Sequence, residues 1–188
     1  MYKKIGKRVI DIIISFGSLI ILSPLMLLLS LLIKLTEPGS IFFKQLRVGK
    51  NGRIFTLYKL RSMPISTENI PSDKVGDVNI RFVGRIIRRT NIDELPQLLN
   101  VLIGDMSIVG PRPPMLNQIE LIDMRKKNGS IQCLPGLTGL AQVNSYDGMS
   151  VKEKAAFDGK YAHSISFIID VKIFYRTFSY LFRTPPVY

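Results

Sequence analysis

The chain has 188 residues, of which 46% are hydrophobic, and a formal net charge of +12. This length suits one domain with a membrane element, and the basic charge suits an anionic partner such as a membrane surface, a phosphorylated substrate or nucleic acid. A lone Cys133 and a lone His163 exclude an internal disulfide and give no basis for a structural zinc site.

The first predicted element is an apolar segment from Val9 to Ile33. Its length is that of a transmembrane helix. Ser23 and Pro24 near its middle favour a break, because proline removes a helical hydrogen bond and each half is too short to cross a bilayer. We predict a re-entrant helix–break–helix over residues 1–36, with a proline-kinked spanning helix as the alternative.

Basic residues stand on both sides of this segment. Lys7 and Arg8 precede it, and Lys34 and Lys44 follow it. Because cytoplasmic flanks of membrane segments are enriched in Lys and Arg, both ends are predicted on the cytoplasmic side. Lys7, Arg8 and the bend at Ser23 and Pro24 are therefore the candidate membrane-anchoring residues.

Residues 37–188 are predicted to form a cytoplasmic, membrane-associated domain of α+β class with a β-hairpin and interfacial amphipathic helices. Ile41–Val48 and Arg53–Leu60 are rich in apolar and aromatic residues, and the glycine-flanked turn between them indicates the hairpin. The two-residue period of a strand puts Lys59 and the following Arg61 on one face.

Shorter patterns predict further elements: a loop over 65–78, a strand or turn over 106–109, a helix over 115–127, a turn over 135–139 and a strand over 141–143. Ser150 and Glu153 form a capping-box pair that starts a helix near Val151.

The last predicted element is an amphipathic helix. Its apolar face comprises Phe167, Val171, Phe174, Phe178 and Leu181, and its basic face comprises Lys172, Arg176 and Arg183. The pattern is typical of a helix lying in the membrane interface, and equally of an ordinary core helix, so both interpretations stay open.

Two adjacent carboxylates, Asp93 and Glu94, follow an arginine cluster that includes Arg88. Their spacing suits helix capping, in which Thr90 or Asn91 caps and a carboxylate lies at the third helical position. A carboxylate in the first turn of a helix is kept ionised by the helix dipole, as a phosphoryl-accepting nucleophile requires. Pro96 indicates that a helix kinks or begins there.

A proline-rich turn follows at residues 110–114 and holds a single arginine, Arg112. A rigidly held guanidinium suits bidentate phosphate binding, although a surface turn with an incidental arginine has the same composition. Lys59 and Arg61 add two cations. Together these groups could neutralise a diphosphate, which is most of what phosphoryl transfer requires of a protein.

Over nearly its whole length the chain resembles the monotopic polyprenyl-phosphate phosphoglycosyl transferases, or bacterial sugar transferases, in their minimal single-domain form. The motifs that carry the resemblance are Lys7–Asp11, Ser23-Pro24, Tyr58–Met63, Asp93–Val101, Gly104–Pro113, Pro135–Gly139 and Gln142-Val143. The resemblance implies that the membrane helix is re-entrant and broken at Ser23-Pro24.

The resemblance also implies a reaction, the first membrane step of bacterial glycoconjugate synthesis. A sugar-1-phosphate passes from a UDP-sugar to a polyprenyl phosphate, and UMP is released. Asp93 is the implied nucleophile, through a covalent phosphosugar–aspartate, and Glu94 with Asp93 is associated with Mg²⁺. The implied phosphate-binding residues are Lys59, Arg61, Arg88 and Arg112. The site is expected on the cytoplasmic face of the bacterial inner membrane, bound to phospholipid.

Other functions remain to be separated from this one. A glycosyl transferase that moves only the sugar would release UDP, and a catalytically silent membrane scaffold or lipid-binding module would have no turnover. No nucleic-acid recognition motif is present, so no nucleic-acid partner is expected. The sugar, the glycan pathway and the oligomeric state, a homodimer included, are left open, with Asn144–Gly148 a candidate for sugar discrimination.

Overall fold

The computed structural model describes residues 2–36, 39–64, 82–144 and 149–181. A π-helical turn, Tyr2–Gly6, precedes the first helix. The helices and strands are α1 (Lys7–Thr36), β1 (Phe42–Val48), β2 (Ile54–Leu60), α2 (Phe82–Arg89), α3 (Gln97–Ile103), β3 (Ser107–Val109), α4 (Ile119–Lys127), β4 (Gly136–Thr138), α5 (Leu140–Val143), α6 (Val151–Ser164) and α7 (Phe167–Leu181). The predicted loop over 65–78 lies outside the described residues, as does most of the stretch considered for sugar discrimination.

Helix α1 runs for 30 residues and contains Pro24. Pro24 has no N–H to donate to the carbonyl of Ile20, four residues earlier. The Ser23 hydroxyl donates to that carbonyl instead, at 2.8 Å. The helix therefore continues through the position where a break was predicted. Among the described residues, α1 is the one helix long and apolar enough to cross a membrane.

The N-terminal end of α1 is fastened to the rest of the protein by polar contacts. Lys7 forms a 2.6 Å ion pair with Asp170 of α7. Arg8 donates to carbonyl groups in the last turns of α3. Asp11 is buried, and its Oδ1 accepts a 3.0 Å hydrogen bond from the backbone N–H of Ile108 in β3. Lys7 and Arg8, predicted as membrane-anchoring residues, thus bind groups of the protein itself.

The C-terminal end of α1 packs on the same body through apolar contacts. Leu29 and Ile33 are buried in a cluster with Leu60 of β2 and Ile87 of α2. Between the two docked ends the helix leaves apolar side chains exposed: Ile20, Ile21, Leu25, Leu27 and Leu28. Ile13 and Leu35, nearer the two ends, are exposed as well, so the uncovered apolar surface extends along the helix.

The predicted hairpin is confirmed. Strands β1 and β2 pair antiparallel in a register that runs from Phe42 opposite Leu60 to Val48 opposite Ile54. Asn51 in the connecting turn has a φ of 56°, a left-handed conformation that asparagine tolerates better than most residues.

The second sheet corrects two predictions. Residues 136–138 form β4, which pairs parallel with β3, where a turn was predicted, and residues 140–143 form α5, where a strand was predicted. The cause is a close backbone approach: a Cβ on Gly136 would lie 2.1 Å from the backbone nitrogen of Gly110. These glycines serve the close contact of two backbone segments and not a turn.

Helix α6 begins at Val151, where it was predicted, and the predicted amphipathic helix is α7. Ser150 and Glu153 form the full capping box at the start of α6. Among the side chains of α7 that the structure describes, residues 167–178, Asp170 and Ile173 are buried, whereas Phe167 and Phe178 of the predicted apolar face are 53% and 50% exposed. That face does not pack into the core, which favours the interfacial interpretation over the core helix.

Candidate active site

The two adjacent carboxylates meet cations from two other parts of the chain. Asp93 and Glu94 lie on a 3₁₀ turn, Ile92–Glu94, between α2 and α3. Lys59 Nζ, near the end of β2, lies 2.8 Å from Glu94 Oε1 and 3.9 Å from Asp93 Oδ2. Arg112 Nη2, from the turn after β3, lies 2.9 Å from the same Glu94 oxygen. The fold thus brings together four of the predicted site residues.

The local backbone does not follow the predicted helix capping. Asn91 occupies the cap position with a φ of 54° and makes no side-chain capping bond. Thr90 donates its hydroxyl back to the carbonyl of Ile86, at 2.8 Å, within the preceding turn of α2. Helix α3 begins only after Pro96, which matches the expectation that a helix begins there. Asp93 therefore precedes α3 and does not lie in its first turn.

A buried amide fixes the distance between the strand and the carboxylates. Asn100 of α3 is fully buried. Its Oδ1 accepts from the Tyr58 N–H at 3.1 Å, and its Nδ2 donates to the Thr56 carbonyl at 2.7 Å. Asn100 acts as a side-chain partner for the backbone of β2 and so holds Lys59, the next residue of β2, beside the turn with Asp93.

Burial and nearby charges shift the pKa values of the two carboxyl groups in opposite directions. Burial raises the pKa of Asp93 to about 6, against the opposing attraction of Lys59. Burial acts on Glu94 in the same direction, but Arg112 and Lys59 outweigh it, so the pKa of Glu94 lies below its usual range. The expectation that a helix dipole keeps Asp93 ionised is therefore wrong. Asp93 is the carboxylate that changes charge near neutral pH.

Two further predicted cations lie close by. Arg88, in the last turn of α2, has Nη1 3.0 Å from Met63 Sδ. Its positive charge opposes the rise that burial causes in the pKa of Asp93. Arg61 is buried just beyond β2, where its backbone N–H donates to the Ile41 carbonyl at 2.8 Å.

Arg47 of β1 is a site neighbour that the sequence did not single out. Its Nη1 donates to the Pro113 carbonyl at 3.1 Å, directly after Arg112, and its Nε donates to Gln45 Oε1 at 3.0 Å. Burial, and then the charge of Arg112, lower the pKa of Arg47 to about 10, while Glu94 opposes the change. In the sequence Arg47 is one of several cations after the membrane segment, with no pattern that marks it.

The site can accommodate a divalent cation only with help from a substrate. No group of three or more His, Cys, Asp or Glu side chains is placed for a metal ion in the part of the chain that the structure describes. Asp93 and Glu94 nevertheless offer adjacent carboxylate oxygens. Mg²⁺ commonly uses one or two carboxylates and completes its shell with substrate phosphates and water, so this donor set fits it.

Comparison with known proteins finds relatives along nearly the whole chain. The family described as bacterial sugar transferase matches residues 2–184. The chain is 36% identical to the exopolysaccharide production protein ExoY of Sinorhizobium fredii, over 92% of this chain and 84% of that protein. It is 39% identical to the UDP-glucose:undecaprenyl-phosphate glucose-1-phosphate transferase of Caulobacter vibrioides, over 97% of this chain and 72% of that protein.

A relative whose name specifies a different sugar is equally similar. The UDP-N-acetylgalactosamine-undecaprenyl-phosphate N-acetylgalactosaminephosphotransferase of Aeromonas hydrophila is 39% identical over 91% of this chain and 42% of its own length. Overall identity therefore does not distinguish between the two sugars.

Proposed function

The chain belongs to the bacterial sugar transferase family, and we propose that it transfers a sugar-1-phosphate from a UDP-sugar to a polyprenyl phosphate with release of UMP. The names of its relatives describe this transfer with undecaprenyl phosphate as acceptor. The observation that carries the proposal is the buried Asp93, with a pKa of about 6, beside the cations that Glu94 holds.

In the first step an ionised Asp93 oxygen attacks the phosphorus that bears the sugar. The bond from that phosphorus to the bridging oxygen breaks, and UMP leaves with the electron pair. A phosphosugar–aspartate remains on the enzyme. Asp93 is suited to this step because it is mostly ionised at neutral pH, yet it is less stabilised as an anion than a solvated carboxylate.

Glu94 organises the charge around the diphosphate. It binds Lys59 at 2.8 Å and Arg112 at 2.9 Å through one oxygen, which fixes both cations beside Asp93. Fixed positive charges stabilise the charge that develops on the leaving UMP. Glu94 and Asp93 would hold Mg²⁺, which supplies further neutralisation of the diphosphate when bound.

In the second step an oxygen of the polyprenyl phosphate attacks the same phosphorus. The bond to Asp93 breaks, the carboxylate is regenerated and the lipid-linked diphosphosugar leaves. The acceptor is a lipid, and an apolar surface flanks the site: on α2, Phe82 and Ile86 are 75% and 45% exposed, next to the cationic Arg88. This surface suits a chain whose phosphate must reach Asp93 from the membrane.

The docking of α1 supports a re-entrant topology at the cytoplasmic face of the inner membrane. Lys7 and Arg8 at one end, and Leu29 and Ile33 at the other, contact the same body. A helix that crosses a bilayer separates its ends by about 30 Å of hydrocarbon, so one cytoplasmic domain would not contact both. The exposed apolar side chains along α1 would then be the part that enters the leaflet.

Rapid quenching with a UDP-sugar in the absence of acceptor tests this function. A panel of UDP-sugars should reveal at least one that releases UMP and leaves a phosphosugar mass on the peptide containing Asp93. Asp93→Asn should abolish both signals, whereas Asp123→Asn, an exposed carboxylate on α4, should change neither.

Each alternative has its own outcome in that experiment. UDP as the nucleotide product would show transfer of the sugar alone. UMP release in the presence of acceptor without any covalent species would show direct displacement. An absence of turnover with every donor would favour a membrane scaffold.

A further inference from the structure

The turn that carries Arg112 has every carbonyl bound from outside the turn. The Pro111 carbonyl accepts from Gly136 N at 2.9 Å, and the Pro114 carbonyl accepts from Val48 N at 3.0 Å. The two central carbonyls, of Arg112 and Pro113, accept from side chains. Three of the four residues are prolines without an N–H, so the turn offers acceptors and needs external donors.

Both side-chain donors are guanidinium groups, of the buried Arg125 and the half-buried Arg47. Arg125 Nη1, from α4, donates to the Arg112 carbonyl at 2.9 Å. Arg47 Nη1, from β1, donates to the Pro113 carbonyl at 3.1 Å. These contacts hold the two carbonyls that directly follow the Arg112 Cα, and they come from two different elements of the domain.

Arg125 is itself held by a buried carboxylate. Its Nε and Nη2 bind Asp158 Oδ2 at 2.9 Å and 2.6 Å, and the two side chains are only 5% and 2% exposed. Asp158 lies on α6, so the pair joins α4 to α6. The remaining Nη1 is the group that reaches the Arg112 carbonyl, which gives Arg125 a contact beyond its ion pair.

Arg112 needs such support because its own side chain is 48% exposed. A half-exposed arginine retains rotamer freedom unless its backbone and its far end are both fixed. Glu94 holds the far end, and the two guanidinium contacts hold the backbone. The position of the Arg112 cation therefore depends on residues that do not belong to the carboxylate site.

We propose that Arg125, held by Asp158, and Arg47 are positioning residues that hold Arg112 in place for the diphosphate of the donor. This inference rests on the proposed function, in which Arg112 binds phosphate. It extends the functional site through the interior to α6.

Arg125→Lys separates this role from the ion pair. Lysine replaces three guanidinium nitrogens with one ammonium, which we expect to stay on the Asp158 carboxylate and so lose the separate contact that Nη1 makes with the Arg112 carbonyl. The charge stays in place and the buried carboxylate stays paired. Arg53→Lys, at an exposed position in the hairpin turn, is the matched control.

The full-length protein in detergent is titrated with UDP and Mg²⁺ by calorimetry, and UMP release is measured with the accepted UDP-sugar. Arg125→Lys should weaken UDP binding and raise KM for the donor roughly ten-fold, as expected for a charged hydrogen bond. Arg47→Lys should act in the same direction, and Arg53→Lys should match the wild type.

The Arg112→Ala background shows whether the effect passes through Arg112. There, Arg125→Lys should cost less than two-fold further in UDP affinity, because coupled residues are not additive. An equal loss in both backgrounds would mean a general structural role and would overturn the proposal. So would wild-type UDP binding by Arg125→Lys, or by Arg112→Ala itself.

Failure of the proposed reaction would look different. If UDP binding shows the coupled pattern but no UDP-sugar yields UMP, the positioning role stands and the transfer reaction is wrong. If UMP is released normally and the coupling is absent, the reaction stands and the positioning role is wrong.

Discussion

Asp93 and Glu94 are neighbours in the chain, yet their carboxyl pKa values move in opposite directions. Glu94 binds Lys59 and Arg112 at 2.8 Å and 2.9 Å, whereas the nearest ammonium contact of Asp93 is Lys59 at 3.9 Å. Glu94 therefore takes most of the available positive charge and stays ionised. Asp93 is left buried with weaker compensation, which assigns the fixed anion to Glu94 and the reactive carboxylate to Asp93.

The pKa of Asp93 predicts an acid limb in the rate. Because only the carboxylate attacks phosphorus, kcat/KM for the UDP-sugar should rise about ten-fold per pH unit below pH 6 and level off above it. Initial rates of UMP release between pH 4.5 and pH 8, in buffers of constant ionic strength, measure this. A flat profile from pH 4.5 to pH 7 would contradict the assignment.

Lys59→Met should move the acid limb of the rate profile to higher pH. Lys59 is the largest influence that lowers the pKa of Asp93, so its removal leaves the carboxyl protonated to a higher pH. The limb should then lie above pH 6, and the plateau should also fall because a diphosphate ligand is lost. Lys44→Met, an exposed lysine opposite Tyr58 on the neighbouring strand, is the control and should leave the profile unchanged. An unshifted limb in Lys59→Met would mean that Lys59 does not act on Asp93.

Patterns within a few residues predicted much of the fold. The hairpin, the capping box at Ser150 and the start of α3 at Pro96 depend on local chemistry, and the structure has all three. The predicted break at Ser23 and Pro24 is wrong, because α1 continues through both residues. The Ser23 hydroxyl binds the carbonyl that Pro24 leaves without a backbone donor, so the helix continues.

What the sequence could not supply is contact between distant segments. Asn100 binds a strand more than 40 residues earlier, and Arg125 binds Asp158 33 residues later. A buried amide or ion pair has no spacing rule in one sequence. For the same reason the charges of Asp93 and Glu94 could be predicted as a pair, but not the unequal sharing of Lys59 and Arg112.

Asp93→Asn should stabilise the protein at alkaline pH. The carboxyl pKa rises from an ordinary 3.8 to about 6 on folding, so ionisation costs more in the folded state. Stability is then unaffected below pH 3.8, falls as pH rises to 6 and stays lower above it, by on the order of 2–3 kcal/mol.

Thermal unfolding in detergent, followed by circular dichroism, checks the sign. The Tm of Asp93→Asn should exceed that of the wild type by roughly 4–10 °C at pH 8, and by much less at pH 4.5. A variant that is less stable than the wild type at both pH values would show that the Asp93 carboxylate supports the fold.

Asn100→Leu should destabilise the domain. Leucine has a similar volume but leaves the Tyr58 N–H and the Thr56 carbonyl without their buried partner, at a cost of about 1–3 kcal/mol each. The same melting experiment should show a clear fall in Tm. Leu99, on the same helix, is 41% exposed, so Leu99→Ala should change the Tm little. Comparable losses in both variants would mean that the amide contacts are not the cause.

The two docked ends of α1 predict that both ends face the cytoplasm. In a Cys133→Ser background, single cysteines replace Lys3 before the helix and Lys44 after it, both at exposed positions. A re-entrant helix should leave both cysteines unlabelled by a membrane-impermeant maleimide in intact spheroplasts, and label both in inverted vesicles. Labelling of Lys3→Cys alone in spheroplasts would show a spanning helix, and would require that the contacts of Lys7 and Arg8 with α7 and α3 do not form in the membrane. The cysteine-free parent controls for background labelling.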